Sequence, residues 1–242
     1  MPESTKYKRI LLKLSGEALK GDREYGIDPK FLNLIAGQIA DVHELGVEIG
    51  LVIGGGNIFR GASDAAAHMN RAVADSVGMI ATVINSLMMQ DALESAGCPA
   101  RVLSAVTMNQ VCEPYIRRRA IRHMEKGRVA ILAGGTGNPY FTTDSAAALR
   151  ANELDAEILV KATKVDGIYT ADPQIDPKAE RLEKITYQEA IARDLRVMDT
   201  SALSLCRDNS LPIVVFGLYE EGNLLKLVKG ENVGTVVNGG NE

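Results

Sequence analysis

The sequence predicts an α/β fold in which helices cover both faces of a mainly parallel sheet. Short apolar runs and helical patterns alternate four times within the first 160 residues. The runs at 9–14, 47–53 and 129–133 are typical of buried strands, and each is followed by a turn containing glycine. Because parallel strands need crossover connections, this alternation indicates right-handed βαβ units.

The remaining elements follow from start and stop signals along the chain. Asp28 and Pro29 supply an N-cap and a first-turn proline, and apolar residues then recur at helical spacing until Gly46. Further helices are predicted over about 64–96 and 114–126, from Ser145 and from Asp199. Further strands are predicted near Val102 and at 157–160, 213–216 and 235–237, with a hairpin at 166–169. No repeat or linker interrupts the pattern, so we expect one domain over 1–242.

Composition limits the classes of partner. The chain has 242 residues, 46% of them hydrophobic, which is enough for one sizeable core. Its 27 basic and 31 acidic residues give a net charge of −4, which argues against nucleic acid or an anionic membrane as the main partner. No signal peptide is visible, and we expect no apolar stretch near the ~20 residues that span a bilayer. These features favour a cytoplasmic protein.

Cysteines, histidines and one basic cluster complete the composition. Cys98, Cys112 and Cys206 are odd in number and far apart, which fits neither a disulfide framework nor a zinc site. The three histidines are equally scattered, so the sequence favours no metal centre. The basic cluster at 117–123 lies in a helical stretch, where a solvated or subunit-contact face and an anion site are both open.

Glycine-rich loops follow four of the predicted strands. They are Ser15–Gly16, Gly54–Asn57, Gly134–Thr143 and Asp166–Gly167. In parallel α/β sheets, ligands bind outside the carboxyl ends of the strands, where backbone amides attract anions. Several loops that lack side chains at one sheet edge indicate a large polyanionic ligand, or two ligands side by side.

Two common nucleotide signatures are absent. The run from Gly16 to Gly21 has Walker A spacing, but Asp22 stands where the lysine is required. The glycines at 54–56 do not extend to G-x-G-x-x-G, which argues against a Rossmann dehydrogenase.

Three cations are candidates for a phosphate site outside these signatures. Lys13 and Lys161 lie at predicted strand ends, and Arg60 follows the triple glycine. Each also has an ordinary interpretation, as a lysine that extends out of an apolar strand or as a surface arginine. Asp144 and Asp199 each begin a predicted helix, where N-capping alone explains an aspartate.

Longer blocks of the sequence carry a family resemblance. The segments at 8–19, 51–61, 133–150, 159–173 and 196–203, together with Met69-Asn70-Arg71 and Asp75, resemble those of the bacterial UMP kinases, members of the amino acid kinase fold family. The resemblance runs from Tyr7 to Val237. It implies a three-layer α/β/α sandwich that binds ATP and UMP end to end, UMP in the part at about 1–150 and ATP in the part at about 151–242.

The resemblance also implies site residues. Those expected to contact ATP are Lys13, Leu14, Ser15, Gly16, Gly56, Arg60, Thr163, Tyr169 and Asp172. Those expected to contact UMP are Gly55, Asp75, Thr136, Gly137, Asn138, Pro139, Tyr140, Phe141, Thr142 and Thr143. The catalytic set is expected to be Lys13, Arg60, Asp144, Lys161 and Asp199. Transfer is expected to be direct and in line, with Mg²⁺ carried by ATP rather than by protein side chains.

The resemblance also has implications for regulation, because members of the family it points to are commonly hexamers that are activated by GTP and inhibited by UTP. The residues matching the effector regions are Gly21, Asp22, Arg23, Glu24, Tyr25, Gly26, Arg101 and Arg128. Gln90 and Glu94 occupy positions where cationic side chains would favour GTP. We therefore expect UTP competition at the UMP pocket more than GTP control.

Two alternatives remain open at this point. A kinase of the same fold acting on a carboxylate, of the aspartokinase or acetylglutamate kinase type, would need an acceptor pocket for an amino acid. A nucleotide-sensing regulator would bind without turnover. The block at 135–144 favours a nucleotide over an amino acid, and retention of Lys13, Arg60 and Asp144 favours an enzyme over a sensor.

Overall fold

The computed structural model describes residues 5–59, 68–171, 175–176, 178–193, 195 and 198–240. The strands in this part of the chain are β1 (Arg9–Leu14), β2 (Glu48–Ile53), β3 (Ala100–Ser104), β4 (Glu113–Pro114), β5 (Val129–Ala133), β6 (Ile158–Thr163), β7 (Ile168–Tyr169), β8 (Arg181–Leu182), β9 (Lys184–Thr186), β10 (Ile213–Gly217) and β11 (Thr235–Asn238). The helices are α1 (Gly16–Leu19), α2 (Pro29–Glu44), α3 (Arg71–Ser95), α4 (Arg117–Glu125), α5 (Thr143–Glu153), α6 (Tyr187–Ala192), α7 (Thr200–Asp208) and α8 (Asn223–Val228).

The strands form a mainly parallel sheet, as predicted. Nine of those described lie in the order β4-β3-β5-β2-β1-β6-β10-β11-β9. Strand β11 runs antiparallel to β10, and the other pairs in this sheet are parallel. Strands β7 and β8 form a separate two-stranded antiparallel sheet. The hairpin was predicted at 166–169, but β7 pairs with β8 at Arg181–Leu182 instead.

Successive side chains of the central strands point to opposite faces of the sheet, and helices cover both faces. Leu12 and Leu14 of β1 pack with α2, α3 and α8 on one face. Leu11 lies on the other face, with α4, α5, α6 and α7. Side chains two residues apart share a face of a strand, so Lys13 points to the same layer as Leu11. The predicted three-layer sandwich is therefore confirmed.

The position of β1 determines where a ligand crevice opens. Strand β1 pairs with β2 on one side and with β6 on the other. The strands β2, β3, β4 and β5, which precede residue 158 in the chain, lie on one side of β1. The strands β6, β9, β10 and β11, which follow, lie on the other side. Ligands of open α/β sheets bind at the carboxyl ends of strands where such a reversal occurs, which here is the end of β1 and β6.

Several boundaries differ from the predictions. Helix α4 begins at Arg117 rather than near 114, because Glu113 and Pro114 form β4 alongside β3. Helix α5 begins at Thr143 rather than Ser145. The sequence did not predict the short elements α1, β4, β8, β9, α6 and α8.

Helix α3 corrects the expectation about long apolar stretches. By length and composition alone it qualifies as a possible membrane span, and it is the one such helix in the described residues. A single helix of this kind is weak evidence, because core helices of globular folds pass the same test. Asn85 and Ser86 at its centre are buried and hydrogen-bonded within the fold, and the helix packs on α2, β3 and β5.

The structure also shows the state of the three cysteines and the partners of the basic cluster on α4. All three cysteines are free, and Cys98 and Cys206 are buried. Three arginines of α4 form ion pairs with nearby acids: Arg117 with Asp155 at 2.6 Å, Arg119 with Glu113 and Arg122 with Glu125. These pairs agree with the solvated interpretation of the cluster.

Candidate active site

Two lysines meet at the carboxyl ends of the central strands. Lys13 of β1 is directly opposite Lys161 of β6 in the parallel register, so both side chains leave the same face of the sheet. Asp144 of α5 lies between them, 2.6 Å from the Lys13 ammonium and 2.8 Å from that of Lys161. All three side chains are at least 85% buried. The structure thus brings together three of the five predicted catalytic residues.

Burial and charge act in opposite directions in this cluster. Burial alone would raise the pKa of Asp144, but the Lys13 and Lys161 ammoniums outweigh it and hold that pKa below its ordinary value. Burial lowers the pKa of Lys161, and repulsion from Lys13 adds to this, while attraction to Asp144 opposes it. The carboxylate therefore stays ionised and keeps two cations together in a poorly solvated place.

Asp144 is not the cap of its helix, so the ordinary interpretation of this residue does not hold. Thr142 is the N-cap of α5, and its hydroxyl accepts from the Asp144 amide at 3.1 Å. The Asp144 carboxylate is therefore directed to the lysines instead. Asp199 does cap α7, accepting from the Ala202 amide at 2.9 Å.

Asp199 joins α7 to the start of α5. Its carboxylate accepts hydrogen bonds from the Thr142 hydroxyl and, at 3.0 Å, from the Ser145 hydroxyl. Asp199 also acts electrostatically on Lys161. Its contacts are those of a residue that orients the helix carrying Asp144.

A cavity of about 340 Å³ opens beside the two lysines, and we call it the lysine cavity. It is lined by Lys13, Ser15, Glu17, Ala18, Lys161, Ala162, Thr163 and Lys164. Three lysines thus surround one opening at the carboxyl edge of β1 and β6. Such a lining suits a ligand with several negative charges.

Gly16 is required by close packing of the loops at this edge. A Cβ at this position would lie 2.5 Å from the Asn57 side-chain oxygen and 2.6 Å from the Gly54 carbonyl oxygen. The turn after β1 therefore touches the turn after β2 directly. Leu14 is fully buried in the core, so its side chain does not reach either cavity.

A second cavity, of about 330 Å³, lies against α3, and we call it the α3 cavity. It is lined by Gly55, Gly56, Phe59, Arg71, Ala74, Asp75, Gly78, Met79, Thr82, Gly135, Thr136, Asn138, Phe141, Thr142 and Thr143. Thr143 belongs to this lining and is followed in the sequence by Asp144, which pairs with two lysines of the other cavity. Residues at the start of α5 thus connect the two cavities, because Thr143 lines one and Asp144 pairs with two lysines that line the other.

Asp75 links α3 to the loop before α5. Its carboxylate accepts from the Tyr140 amide at 2.7 Å and from Arg71 at 3.0 Å. Tyr140 has a φ of 72° and its side chain is 67% exposed, with the Arg71 guanidinium 5.7 Å from its ring. Asp75 thus stands at the α3 cavity with hydrogen-bonding partners already in place.

Some predicted residues lie elsewhere. Gly56 lines the α3 cavity rather than the lysine cavity. Tyr169 donates its hydroxyl to Asp166 at 2.6 Å and lines neither cavity. Gly137 and Pro139 belong to the loop beside the α3 cavity but do not line it. Arg60 and Asp172 lie outside the described residues.

The sequence interpretation missed several residues of α3. Arg71, Met79 and Thr82 line the α3 cavity together with Asp75. They are spaced at i, i+4, i+8 and i+11 and therefore share one helical face, so this spacing was the available signal. Nothing in the sequence indicated that Asn85, from the same helix, hydrogen-bonds the Gly54 carbonyl at 2.7 Å.

The arginines expected at effector regions have partners within the fold. Arg101 is paired with Glu94 at 2.7 Å, and the side-chain oxygen of Gln90 accepts from the Val102 amide. Arg128 contacts the ring of His123 at 3.2 Å. The loop at 21–26 is mostly exposed and is held to the glycine loop by the hydrogen bond of the Gly26 amide to the Asn57 carbonyl.

Comparison with known proteins agrees with this geometry. The model of the "Amino acid kinase family" matches residues 8–217. The chain belongs to the amino acid kinase family. Within this family, it is 58% identical over 233 residues to a protein named uridylate kinase from Xanthomonas oryzae pv. oryzae, covering 96% of this chain and 97% of the relative.

Solved structures show the same family architecture. A UMP kinase from Bacillus anthracis superposes with a TM-score of 0.93 at 40% identity, over 96% of both chains. A UMP kinase from Ureaplasma parvum gives a TM-score of 0.90 at 35% identity, over 96% of this chain and 99% of the other. The amino acid kinase fold is therefore present over nearly the whole chain.

Proposed function

We propose that the chain is a UMP kinase, which transfers the γ-phosphoryl group of ATP to the phosphate of UMP and releases UDP and ADP. The observation that carries the proposal is the Lys13–Asp144–Lys161 cluster: its lysines line one cavity, and its aspartate directly follows Thr143, which lines the other. The relatives named uridylate kinase and UMP kinase support the choice of acceptor. A carboxylate kinase of the same fold has no comparable support.

The proposed reaction requires alignment and positive charge rather than a strong base. A phosphate oxygen of UMP is already ionised at neutral pH, so it attacks the γ-phosphorus directly. ATP occupies the lysine cavity with its phosphates toward Lys13 and Lys161, and UMP occupies the α3 cavity. The two ammoniums offset the negative charge that develops during transfer, and Asp144 keeps both of them in place.

Roles follow for the other predicted residues. The residues that contact UMP are Gly55, Thr136, Asn138 and Thr143. The ribose hydroxyls of UMP donate to the Asp75 carboxylate and replace one of the hydrogen bonds that it now accepts from Arg71 and Tyr140. The ATP side comprises Ser15, Gly16 and Thr163 around the phosphates, with Tyr169 and Asp172 toward the adenosine. Arg60 contacts the reacting phosphates. Asp199 orients α5 and takes no part in bond making.

Mg²⁺ is proposed to arrive with ATP rather than on protein ligands. Both oxygens of the Asp144 carboxylate face ammonium groups, and Asp199 already accepts from three donors. The described residues contain no group of three His, Cys, Asp or Glu side chains that fits a metal ion. When bound, Mg²⁺ would neutralise phosphate charge on the β- and γ-oxygens.

A coupled assay of ADP formation tests the function. Purified protein is incubated with ATP and, separately, UMP, CMP, aspartate or N-acetylglutamate. Fast turnover with UMP, at least tenfold above CMP, supports the proposal. Turnover with an amino acid acceptor instead would identify a carboxylate kinase, and UMP binding without UDP formation would identify a sensor.

We further propose a cytoplasmic homohexamer in which UTP competes for the α3 cavity. GTP activation is expected to be weak, because Glu94 already neutralises Arg101. Light scattering tests the assembly, and UMP kinetics with added UTP or GTP test the two effectors.

A further inference from the structure

Arg150 is a buried charged residue that touches no proposed substrate. It lies in α5 and is 6% exposed. Its guanidinium donates to the Glu153 carboxylate at 2.6 Å and lies 3.9 Å from the centre of the Tyr115 ring. The Tyr115 hydroxyl donates to the same carboxylate at 2.5 Å. Burying such a group is costly, and the Glu153 carboxylate and the Tyr115 ring together compensate for it.

One more contact of Arg150 leads to the α3 cavity. Its second terminal nitrogen donates to the Gly135 carbonyl at 3.3 Å. Gly135 lines the α3 cavity and is followed by Thr136, which also lines it. Arg150 therefore supports the cavity wall from behind, on the side away from the ligand space.

The segment that Arg150 contacts has little rigidity of its own. Gly134 and Gly135 both have positive φ, 75° and 59°, and a glycine backbone loses more entropy on ordering than any other. Side chains from two different helices fix this pair: the Gly134 amide donates to the Thr82 hydroxyl at 2.8 Å, and the Gly135 carbonyl accepts from Arg150. Within the loop, the Gly137 amide donates to the Gly134 carbonyl at 3.0 Å, whereas the Gly135 carbonyl is held by Arg150 from outside the loop.

We infer that Arg150 is a positioning residue for the acceptor nucleotide: it holds the Gly135 carbonyl so that Thr136 and Asn138 face UMP. The inference rests on the proposed function of the α3 cavity. Only a planar guanidinium reaches Glu153, Gly135 and the Tyr115 ring at once. A lysine here would reach one of the two acceptors, so the conservative substitution is expected to restore function only partly.

Steady-state kinetics of three variants test the inference. Arg150→Met keeps the packing on Tyr115 and loses both hydrogen bonds. It should raise KM for UMP about tenfold, equivalent to about 1.4 kcal/mol, with KM for ATP within about twofold and kcat within about threefold. Arg150→Lys should raise KM for UMP about threefold. The control is Arg117→Met. Arg117 also donates to Glu153, at its backbone carbonyl, but has no hydrogen bond to Gly135, so KM for both substrates and kcat should stay within about twofold.

A selective rise in KM for UMP supports the inference. Equal rises for both substrates, or an unchanged KM for UMP in a folded variant, would overturn it. If Arg150→Met does not fold, Arg150→Lys decides by the same criterion. Calorimetric titration of UMP separates the two proposals: a wild-type protein that binds UMP without forming UDP refutes the reaction and leaves affinity as the test of Arg150. A wild-type protein that does not bind UMP overturns both.

Discussion

Replacing Asp144 by asparagine removes the carboxylate that holds two buried cations together. The change keeps the shape of the side chain but leaves the Lys13 and Lys161 ammoniums facing each other. Removing one partner of a buried ion pair typically costs about 3–5 kcal/mol. For a chain of this size we expect the melting temperature to fall by about 6–20 °C. Turnover should fall by about 10²-fold or more, because the cations are no longer fixed.

The pH dependence of this loss is specific to the mechanism. Without Asp144, burial and Lys13 lower the pKa of Lys161 further below its ordinary 10.5. Between the folded-state pKa and 10.5 the unfolded chain then binds more protons than the folded chain, so stability rises with pH in that window. This pH range begins at a lower pH in Asp144→Asn than in the wild type, because the folded-state pKa of Lys161 is lower in the variant. The difference in free energy of unfolding between the wild type and the variant should therefore decrease from pH 7 to pH 9.

Urea unfolding at pH 7 and pH 9 measures both effects. The control Asp155→Asn removes an acid that is 66% exposed and pairs with Arg117 at 2.6 Å, so it should cost less than about 1 kcal/mol at either pH. A loss below about 1 kcal/mol in Asp144→Asn would refute the reasoning. A difference in free energy of unfolding that stays constant or increases as the pH rises would refute it as well.

Three further predictions concern single positions. Lys13→Ala should lower kcat by about 10²–10³-fold while the Kd of UMP, measured calorimetrically, changes by less than about threefold; similar losses in both would contradict a role in the transition state. Gly16→Ala forces a Cβ to within 2.6 Å of the Gly54 carbonyl and should lower the free energy of unfolding by about 1–3 kcal/mol, whereas Gly37→Ala, with open space around it, should raise it by about 0.5–1 kcal/mol. Burial raises the pKa of the Cys98 thiol to about 11, so at pH 8 a disulfide reagent should modify the half-buried Cys112 first, as peptide mapping would show.

Much of the fold was predictable because its signals are local. The strands at 9–14 and 129–133 were placed with their observed bounds, since each is an apolar run closed by a turn. Asp28 and Asp199 were identified as caps from their position before a helical pattern. The helices α1, α6 and α8 were missed because four to six residues make fewer than two helical turns, and the strands β4, β8 and β9 because two or three residues show no alternation.

The site was predictable in its residues but not in its pairings. Lys13 and Lys161 were selected because both end strands, yet their shared register comes from the sheet order, which places β6 beside β1. Asp144 was expected in the catalytic set, with N-capping as the alternative that its sequence position also fits, whereas Thr142 is the cap in the fold. The support of the Gly135 carbonyl by Arg150 joins residues in different elements, and no spacing in the chain indicates it.

A crystal structure with UMP and a non-hydrolysable ATP analogue bound together tests the central claim most directly. The account predicts the γ-phosphate within hydrogen-bonding distance of the Lys13 and Lys161 ammoniums, and the UMP phosphate beside Gly55 and Thr143. The two phosphates should face each other across the start of α5. UMP bound away from the α3 cavity, or a γ-phosphate that touches neither lysine, would contradict it.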